Sequence, residues 1–131
     1  MNTHYIFDVD GTLTPSRGKI DYGFLNFFNE FVEENSVYLA TGSDAPKTIE
    51  QIGQPLFNSV KKVYNCSGNS VWVNGVNIYN NNWKLDQLPW HFLETILIHH
   101  NFEPKTGHHF DERPGLLNYS IVGRNADTEQ R

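Results

Sequence analysis

The alternation of apolar and polar residues predicts strands and helices in turn along the first half of the chain. Three short runs of β-formers, residues 5–7, 36–40 and 61–66, predict three strands, and we expect the first of them to be buried. Between the first two strands, residues 22–34 carry phenylalanines at the i, i+3, i+4, i+7 spacing of a helix with one buried face. The strand-helix-strand order predicts an α/β fold with a right-handed, Rossmann-like parallel sheet.

Turn and capping residues give the boundaries of these elements. Asp21 is expected to cap the first helix, and Ser43 or Asp44 a second helix over residues 46–52. Asn74-Gly75 predicts the tight turn of a hairpin over residues 71–79.

The pattern changes near residue 85. Residues 89–100 predict an amphipathic helix with Asp86 as its cap, and Pro114-Gly115 predicts the turn of a second hairpin. We therefore expect residues 1–82 to form one domain and residues 83–131 to form part of a second, α+β domain.

Composition excludes several classes of protein. The chain has 131 residues and a net charge of −5 without a lysine or arginine cluster, which argues against a nucleic-acid surface. It has no apolar run long enough to cross a membrane and no signal-peptide pattern. The single cysteine, Cys66, suits a reducing compartment, so we expect a cytoplasmic protein.

Candidate chemistry begins directly after the first strand. Asp8 and Asp10 are separated by one residue and followed by Gly11, at the carboxyl edge where open α/β sheets bind their ligands. Two carboxylates at that position suit a hard cation such as Mg²⁺ together with a phosphate. Asp8 is the candidate nucleophile, which would form an aspartyl-phosphate, and Asp10 the candidate general acid and base. A solvated turn or a calcium loop is the alternative, but no glutamate stands at the twelfth position that a calcium loop requires.

The second strand ends in two candidate phosphate donors. Thr41 and Ser43 carry hydroxyls that would donate to a phosphoryl oxygen, and the residues alone do not decide between them.

These motifs are similar to a known family. Residues 8–14, Asp-Val-Asp-Gly-Thr-Leu-Thr, resemble the first motif of the haloacid dehalogenase superfamily, and residues 15–20 are similar to its eukaryotic-type phosphomannomutase branch. Residues 113–124 resemble a segment of that branch's cap domain. The resemblance implies a Mg²⁺-dependent phosphotransferase that interconverts mannose 6-phosphate and mannose 1-phosphate. It also implies that Arg17, Arg113, Asn118 and Arg124 bind a phosphorylated sugar, as guanidinium groups suit phosphate.

The resemblance also has departures. The family's earlier cap arginine aligns with Thr106, beside Lys105, and its third and fourth motifs have no counterpart in the chain. We therefore expect an incomplete haloacid dehalogenase core with a partial cap, and either homo-oligomerisation or pairing with a missing C-terminal half. A sugar-phosphate phosphatase and a catalytically silent phospho-ligand binding or assembly module are the alternative functions.

Overall fold

The computed structural model describes residues 3–101, 103, 105–127 and 129. The chain divides into two compact units, Met1–Asn81 and Asn82–Arg131, which are described separately. The sequence pattern placed this division between residues 82 and 83.

The first unit is built on a five-stranded mixed sheet in the order β1-β2-β3-β4-β5. Strands β1 to β3 are parallel, while β4 and β5 form an antiparallel hairpin on the side of β3. The five strands are β1 (His4–Asp8), β2 (Ser36–Ala40), β3 (Lys62–Asn65), β4 (Ser70–Val73) and β5 (Val76–Asn80). The α/β fold and the Asn74-Gly75 turn are thereby confirmed, with both turn residues at positive φ as a two-residue hairpin turn requires.

Three helices connect the parallel strands: α1 (Tyr22–Glu34), α2 (Ala45–Ile52) and α3 (Gln54–Ser59). Asp21 caps α1, because its Oδ2 accepts a hydrogen bond from Phe24 N at 3.0 Å. Asp44 rather than Ser43 caps α2, since its Oδ1 accepts from Lys47 N at 3.1 Å.

The hydrophobic core lies on one face of the sheet. Val37, Leu39 and Val63 alternate with more exposed neighbours along β2 and β3, which places them on the same face. They pack with buried residues of the helices and of the segment after β1: Val9, Leu13, Phe28, Val32, Ala45, Ile52, Leu56, Phe57 and Val60.

The expectation that the first strand is buried was wrong. Strand β1 is at the edge of the sheet, with β2 as its only hydrogen-bonded neighbour among the described strands. Tyr5 is 37% exposed and Ile6, on the face opposite the core, is 68% exposed. Phe7 packs on the core cluster, as an inward-facing residue of an edge strand does.

The predicted phenylalanine stripe of α1 was only half correct. Phe28 is buried and Phe31 packs against the core, whereas Phe24 and Phe27 are exposed. The buried face of α1 is centred on Phe28 and Val32, so the two earlier rings fall at its margin.

The second unit contains one helix and one hairpin: α4 (Gln87–His99), β6 (Phe110–Arg113) and β7 (Leu116–Tyr119). Pro114-Gly115 forms the two-residue turn, as predicted. Trp90 of α4 stacks on Phe110 with a ring-centroid separation of 4.3 Å, and the Tyr119 hydroxyl donates to Leu93 O at 3.2 Å. Asp86 is the N-cap residue of α4, although its side chain makes no capping hydrogen bond.

Among the described residues, no helix combines the length and the apolar character needed to cross a bilayer.

Candidate active site

Asp8 is the last residue of β1, at the carboxyl edge of the parallel strands. It pairs in register with Ala40, and Ala40 pairs with Tyr64 of β3. The Asp8 side chain is exposed; its Oδ1 accepts a hydrogen bond from Val9 N at 2.9 Å, and Oδ2 accepts from Thr12 Oγ1 at 3.5 Å. The strand therefore presents an accessible carboxylate where open α/β sheets bind ligands.

A compact turn follows Asp8 and carries the second carboxylate. The carbonyl of Val9 accepts hydrogen bonds from the amides of Thr12, Leu13 and Thr14 at 3.2, 2.9 and 3.2 Å. Val9 and Leu13 are buried in the core, and Gly11 supplies the positive φ of 78° within the turn. Burial of Val9 between two aspartates that are not buried leaves both carboxylates outside the core.

Asp10 is half-buried and is held through one oxygen. Its Oδ1 accepts hydrogen bonds from the Nε2 of Gln51, at 3.0 Å, and from the backbone amide of Arg17. Within the described part of the chain, no hydrogen bond reaches Oδ2. The arrangement fixes the carboxyl group while leaving one oxygen available to a ligand.

Gln51 is a site residue that sequence reasoning missed. It lies 41 positions from Asp10, near the end of α2. The only signal in the sequence is its spacing. Gln51 is three positions after Thr48 and next to Ile52, and these two residues are buried on the inner side of the helix.

The two candidate hydroxyl donors lie just beyond β2. Thr41 directly follows the partner of Asp8 in the sheet, and its amide donates to Tyr64 O at 2.9 Å. Thr41 is buried and its Oγ1 accepts from Ser43 N at 3.1 Å. Ser43 is half-buried, and its hydroxyl makes no hydrogen bond with the described residues. Thr41 therefore shapes the loop, while the Ser43 hydroxyl remains available.

The end of β3 holds this loop in place. Cys66 N donates to Ser43 O at 2.9 Å and Ser67 N donates to Thr41 O at 3.0 Å. Asn65, which is fully buried, donates from Nδ2 to Ser43 O at 3.2 Å and to Thr48 Oγ1 at 2.8 Å. Cys66 and Ser67 adopt positive φ values of 50° and 56°, which only a few per cent of non-glycine residues do.

The residues present suit a hard cation at the end of β1. Among the described residues no group of three or more His, Cys, Asp or Glu side chains converges, and the aspartate pair remains the candidate for the protein ligands. Mg²⁺ is commonly held by one or two carboxylates together with waters and substrate phosphate oxygens. Asp8, which is exposed, and Asp10, with its Oδ2 available, match that requirement.

The second unit brings together three of the residues predicted to bind the sugar phosphate. Arg113 donates from Nε to Asp111 Oδ2 at 3.1 Å, and its Nη2 lies 2.9 Å from the same oxygen. Nη2 of Arg124 lies 3.6 Å from that oxygen too, and Asn118 pairs with Asp111 across the hairpin. Asp111, which sequence reasoning did not single out, is thus the centre of this arginine cluster.

The remaining candidates have other neighbours. Arg17, in the first unit, has an exposed side chain. Its backbone has a positive φ of 59°, and its amide donates a hydrogen bond to Asp10 Oδ1. Lys105, in the second unit, donates from Nζ to Leu97 O at 2.8 Å, near the end of α4.

Burial raises the pKa of the Tyr119 phenol above its usual value of 10.0.

Comparison with known proteins gives several relatives named phosphomannomutase. A phosphomannomutase of Dendrobium officinale is 32% identical over 132 residues, covering 96% of this chain and 52% of that protein. A phosphomannomutase of Arabidopsis thaliana is 29% identical over 136 residues, covering 96% and 54%. No protein-family model matches the chain. The chain spans about half the length of the curated relatives it matches.

The solved structures agree on the fold. A trehalose-6-phosphate phosphatase related protein superimposes with a TM-score of 0.50 and 23% identity, over 61% of this chain and 35% of that one. That similarity supports the α/β fold of the chain. By sequence and fold together, the chain resembles the N-terminal half of phosphomannomutases of the haloacid dehalogenase type.

Proposed function

We propose that the chain carries the phosphoryl-accepting aspartate of a Mg²⁺-dependent phosphomannomutase-like enzyme that interconverts mannose 6-phosphate and mannose 1-phosphate. The observation that carries the proposal is the position of Asp8. It ends β1 in register with Ala40, so the Thr41–Ser43 loop follows at the same edge of the sheet. The first unit would then be the phosphoryl-transfer core and the second unit part of a cap.

The chemistry follows from the two carboxylates. An oxygen of Asp8 attacks phosphorus, and the bond between phosphorus and the sugar oxygen breaks. The leaving oxygen keeps the electron pair and takes a proton from Asp10, whose Oδ2 is the oxygen left accessible. In the second step Asp10 removes a proton from the incoming hydroxyl as that oxygen attacks the aspartyl-phosphate and restores Asp8.

The other groups would neutralise the charge of the phosphate and orient the substrate. Asp8 would hold Mg²⁺ directly and Asp10 through one of the waters of the ion, so that the Asp10 carboxyl group can still carry a proton; the ion when bound supplies neutralisation of the phosphate charge. Ser43 would donate its hydroxyl to a phosphoryl oxygen, while Thr41 holds the Ser43 amide. Arg113 and Arg124 would grip a phosphate on the sugar, and their shared contact with Asp111 holds both guanidiniums in one place.

A sugar-phosphate phosphatase is the second candidate, and Lys105 favours it. A mutase must retain a sugar bisphosphate until the second transfer is complete. Lys105 stands beside the position of a family arginine, yet its ammonium is bonded to the carbonyl of Leu97. Weaker retention of the bisphosphate would let water replace the sugar hydroxyl as acceptor.

A product assay separates the candidates. The purified chain is incubated with Mg²⁺ and mannose 1-phosphate, with and without a sugar bisphosphate, beside an Asp8→Asn control. Bisphosphate-dependent mannose 6-phosphate supports the mutase, and inorganic phosphate supports the phosphatase. Binding of mannose 1-phosphate by calorimetry with no Asp8-dependent product would contradict both and leave the silent phospho-ligand binding or assembly module.

A further inference from the structure

A buried glutamine side chain makes the principal side-chain contact to Asp10. Gln51 is 2% exposed, and its Nε2 donates to Asp10 Oδ1 at 3.0 Å and to Thr14 Oγ1 at 3.4 Å. The two hydrogens of this amide nitrogen are thereby both used. The carboxylate is bonded to a helix of the core as well as to its own loop.

The backbone of the same residue holds the far end of that loop. Ile20 N donates to the carbonyl of Gln51 at 2.8 Å. Helix α2 is itself fixed at both ends, by the Asp44 cap and by Gly53, whose amide donates to Ile49 O. The loop over residues 10–20 is therefore attached at both ends to one point of a well-anchored helix.

The contact selects which oxygen of Asp10 remains accessible. Gln51 Nε2 and Arg17 N both donate to Oδ1, so rotation of the carboxyl group would break two hydrogen bonds at once. Oδ2 is left without a hydrogen bond to the described residues. A proton-transfer group needs this kind of fixed orientation, supplied by residues that do not themselves touch the substrate.

The amide is not explained by packing. Its Oε1 is buried and has no hydrogen-bond partner in the described part of the chain, which leaves an acceptor desolvated without compensation. A methionine or leucine would fill similar space without that penalty. The presence of an amide here is explained if its nitrogen is needed where it lies, between Asp10 and Thr14.

We infer that Gln51 is a positioning residue that orients the Asp10 carboxyl group for proton transfer. The inference rests on the proposed function for the role of Asp10, but the contact itself can be measured without turnover. Gln51→Met removes the donor while keeping the length of the side chain. Ile52→Val is the matched control, because Ile52 is equally buried in the same helix and has no polar side-chain atoms.

The first readout is nuclear magnetic resonance of the chain alone. The backbone amide of Arg17 donates to the same carboxylate oxygen, so we expect its resonance to shift in Gln51→Met and to stay in place in Ile52→Val. We also expect Asp10→Asn to shift the side-chain amide of Gln51 but not that of the exposed Gln54. An unmoved Arg17 resonance in a folded Gln51→Met variant would overturn the positioning role.

The second readout compares the effect of the substitution on kcat with its effect on KM. If the wild-type chain hydrolyses or isomerises mannose 1-phosphate, Gln51→Met should lower kcat about tenfold to a hundredfold with KM little changed. Equal losses in Gln51→Met and Ile52→Val would show a purely structural role and overturn the inference. A wild-type chain without turnover counts against the proposed function alone, since the resonance measurement still decides the role of Gln51.

Discussion

Arg113 and Asp111 form an ion pair across one residue of strand β6, with Nη2 2.9 Å from Oδ2. Arg124 reaches the same oxygen from beyond β7, at 3.6 Å. One carboxylate thus gathers two cations whose sequence positions are eleven residues apart. Clustered guanidiniums of this kind are suited to a phosphate, which carries more charge than the carboxylate between them.

The first prediction concerns this cluster. Arg113→Met and Arg124→Met should each weaken binding of mannose 6-phosphate about tenfold, because each removes one charge-assisted hydrogen-bonding group. Calorimetry measures the affinity, with Lys84→Met as the control, since Lys84 is an exposed lysine of the same unit paired with Glu112. Equal weakening by Lys84→Met would show that only net charge matters, and binding of unphosphorylated mannose with the same affinity would exclude phosphate recognition.

The second prediction separates the two hydroxyls beyond β2. Ser43→Ala should lower kcat about a hundredfold, as expected for a lost donor to the reacting phosphate. Thr41→Val should instead lower the free energy of unfolding by about 1 kcal/mol, since Oγ1 of Thr41 accepts the bond from Ser43 N. Urea unfolding and steady-state kinetics on both variants provide the test. A stability loss in Ser43→Ala with unchanged kcat would reverse the assignment.

The third prediction concerns alkaline pH. Burial raises the pKa of Tyr119 above 10.0, so the folded state keeps this phenol protonated where the unfolded chain ionises it. The contribution of Tyr119 to the free energy of unfolding is fully present below the pKa of this phenol in the unfolded chain. That contribution is lost as the pH rises through the pKa of the phenol in the folded state. Tyr119→Phe should therefore lessen the alkaline loss of stability of the second unit, followed by urea unfolding at several pH values. Tyr22→Phe, at an exposed position, should leave the alkaline loss as it is in the wild type.

The sequence was sufficient to predict the elements whose signals are local. The Asn74-Gly75 and Pro114-Gly115 turns, the cap at Asp21, the narrowing of the second cap to Ser43 or Asp44, and the order of strands and helices all depend on residues close together in the chain. Such signals are read directly from residue type, because a positive φ or a capping oxygen is a property of a few adjacent positions.

Features that depend on tertiary neighbours were not accessible in the same way. The apolar character of Tyr5 and Ile6 suggested a buried strand, but burial is decided by what lies beside β1, and here it is an edge strand. Phe24 and Phe27 fit the helical period, yet the orientation of α1 on the sheet leaves them exposed.

The candidate site shows the same limit. Asp8 and Asp10 were identified because a local motif contains both. Gln51 was missed because only the fold brings it near Asp10. Asp111 was missed because its contact with Arg124, thirteen residues later, is not visible in the sequence. The placement of the site residues in catalysis stays a prediction until a reaction is measured.

The most direct test of the account is detection of a phosphoryl group on Asp8. The purified chain is mixed with Mg²⁺ and mannose 1-phosphate, quenched in acid, digested and analysed by mass spectrometry, beside Asp8→Asn and Ser43→Ala. The account predicts a hydroxylamine-sensitive acyl phosphate on the peptide that contains Asp8, absent in Asp8→Asn and reduced in Ser43→Ala. Sugar-phosphate turnover that persists in Asp8→Asn, or a phosphoryl group found on another residue, would contradict it.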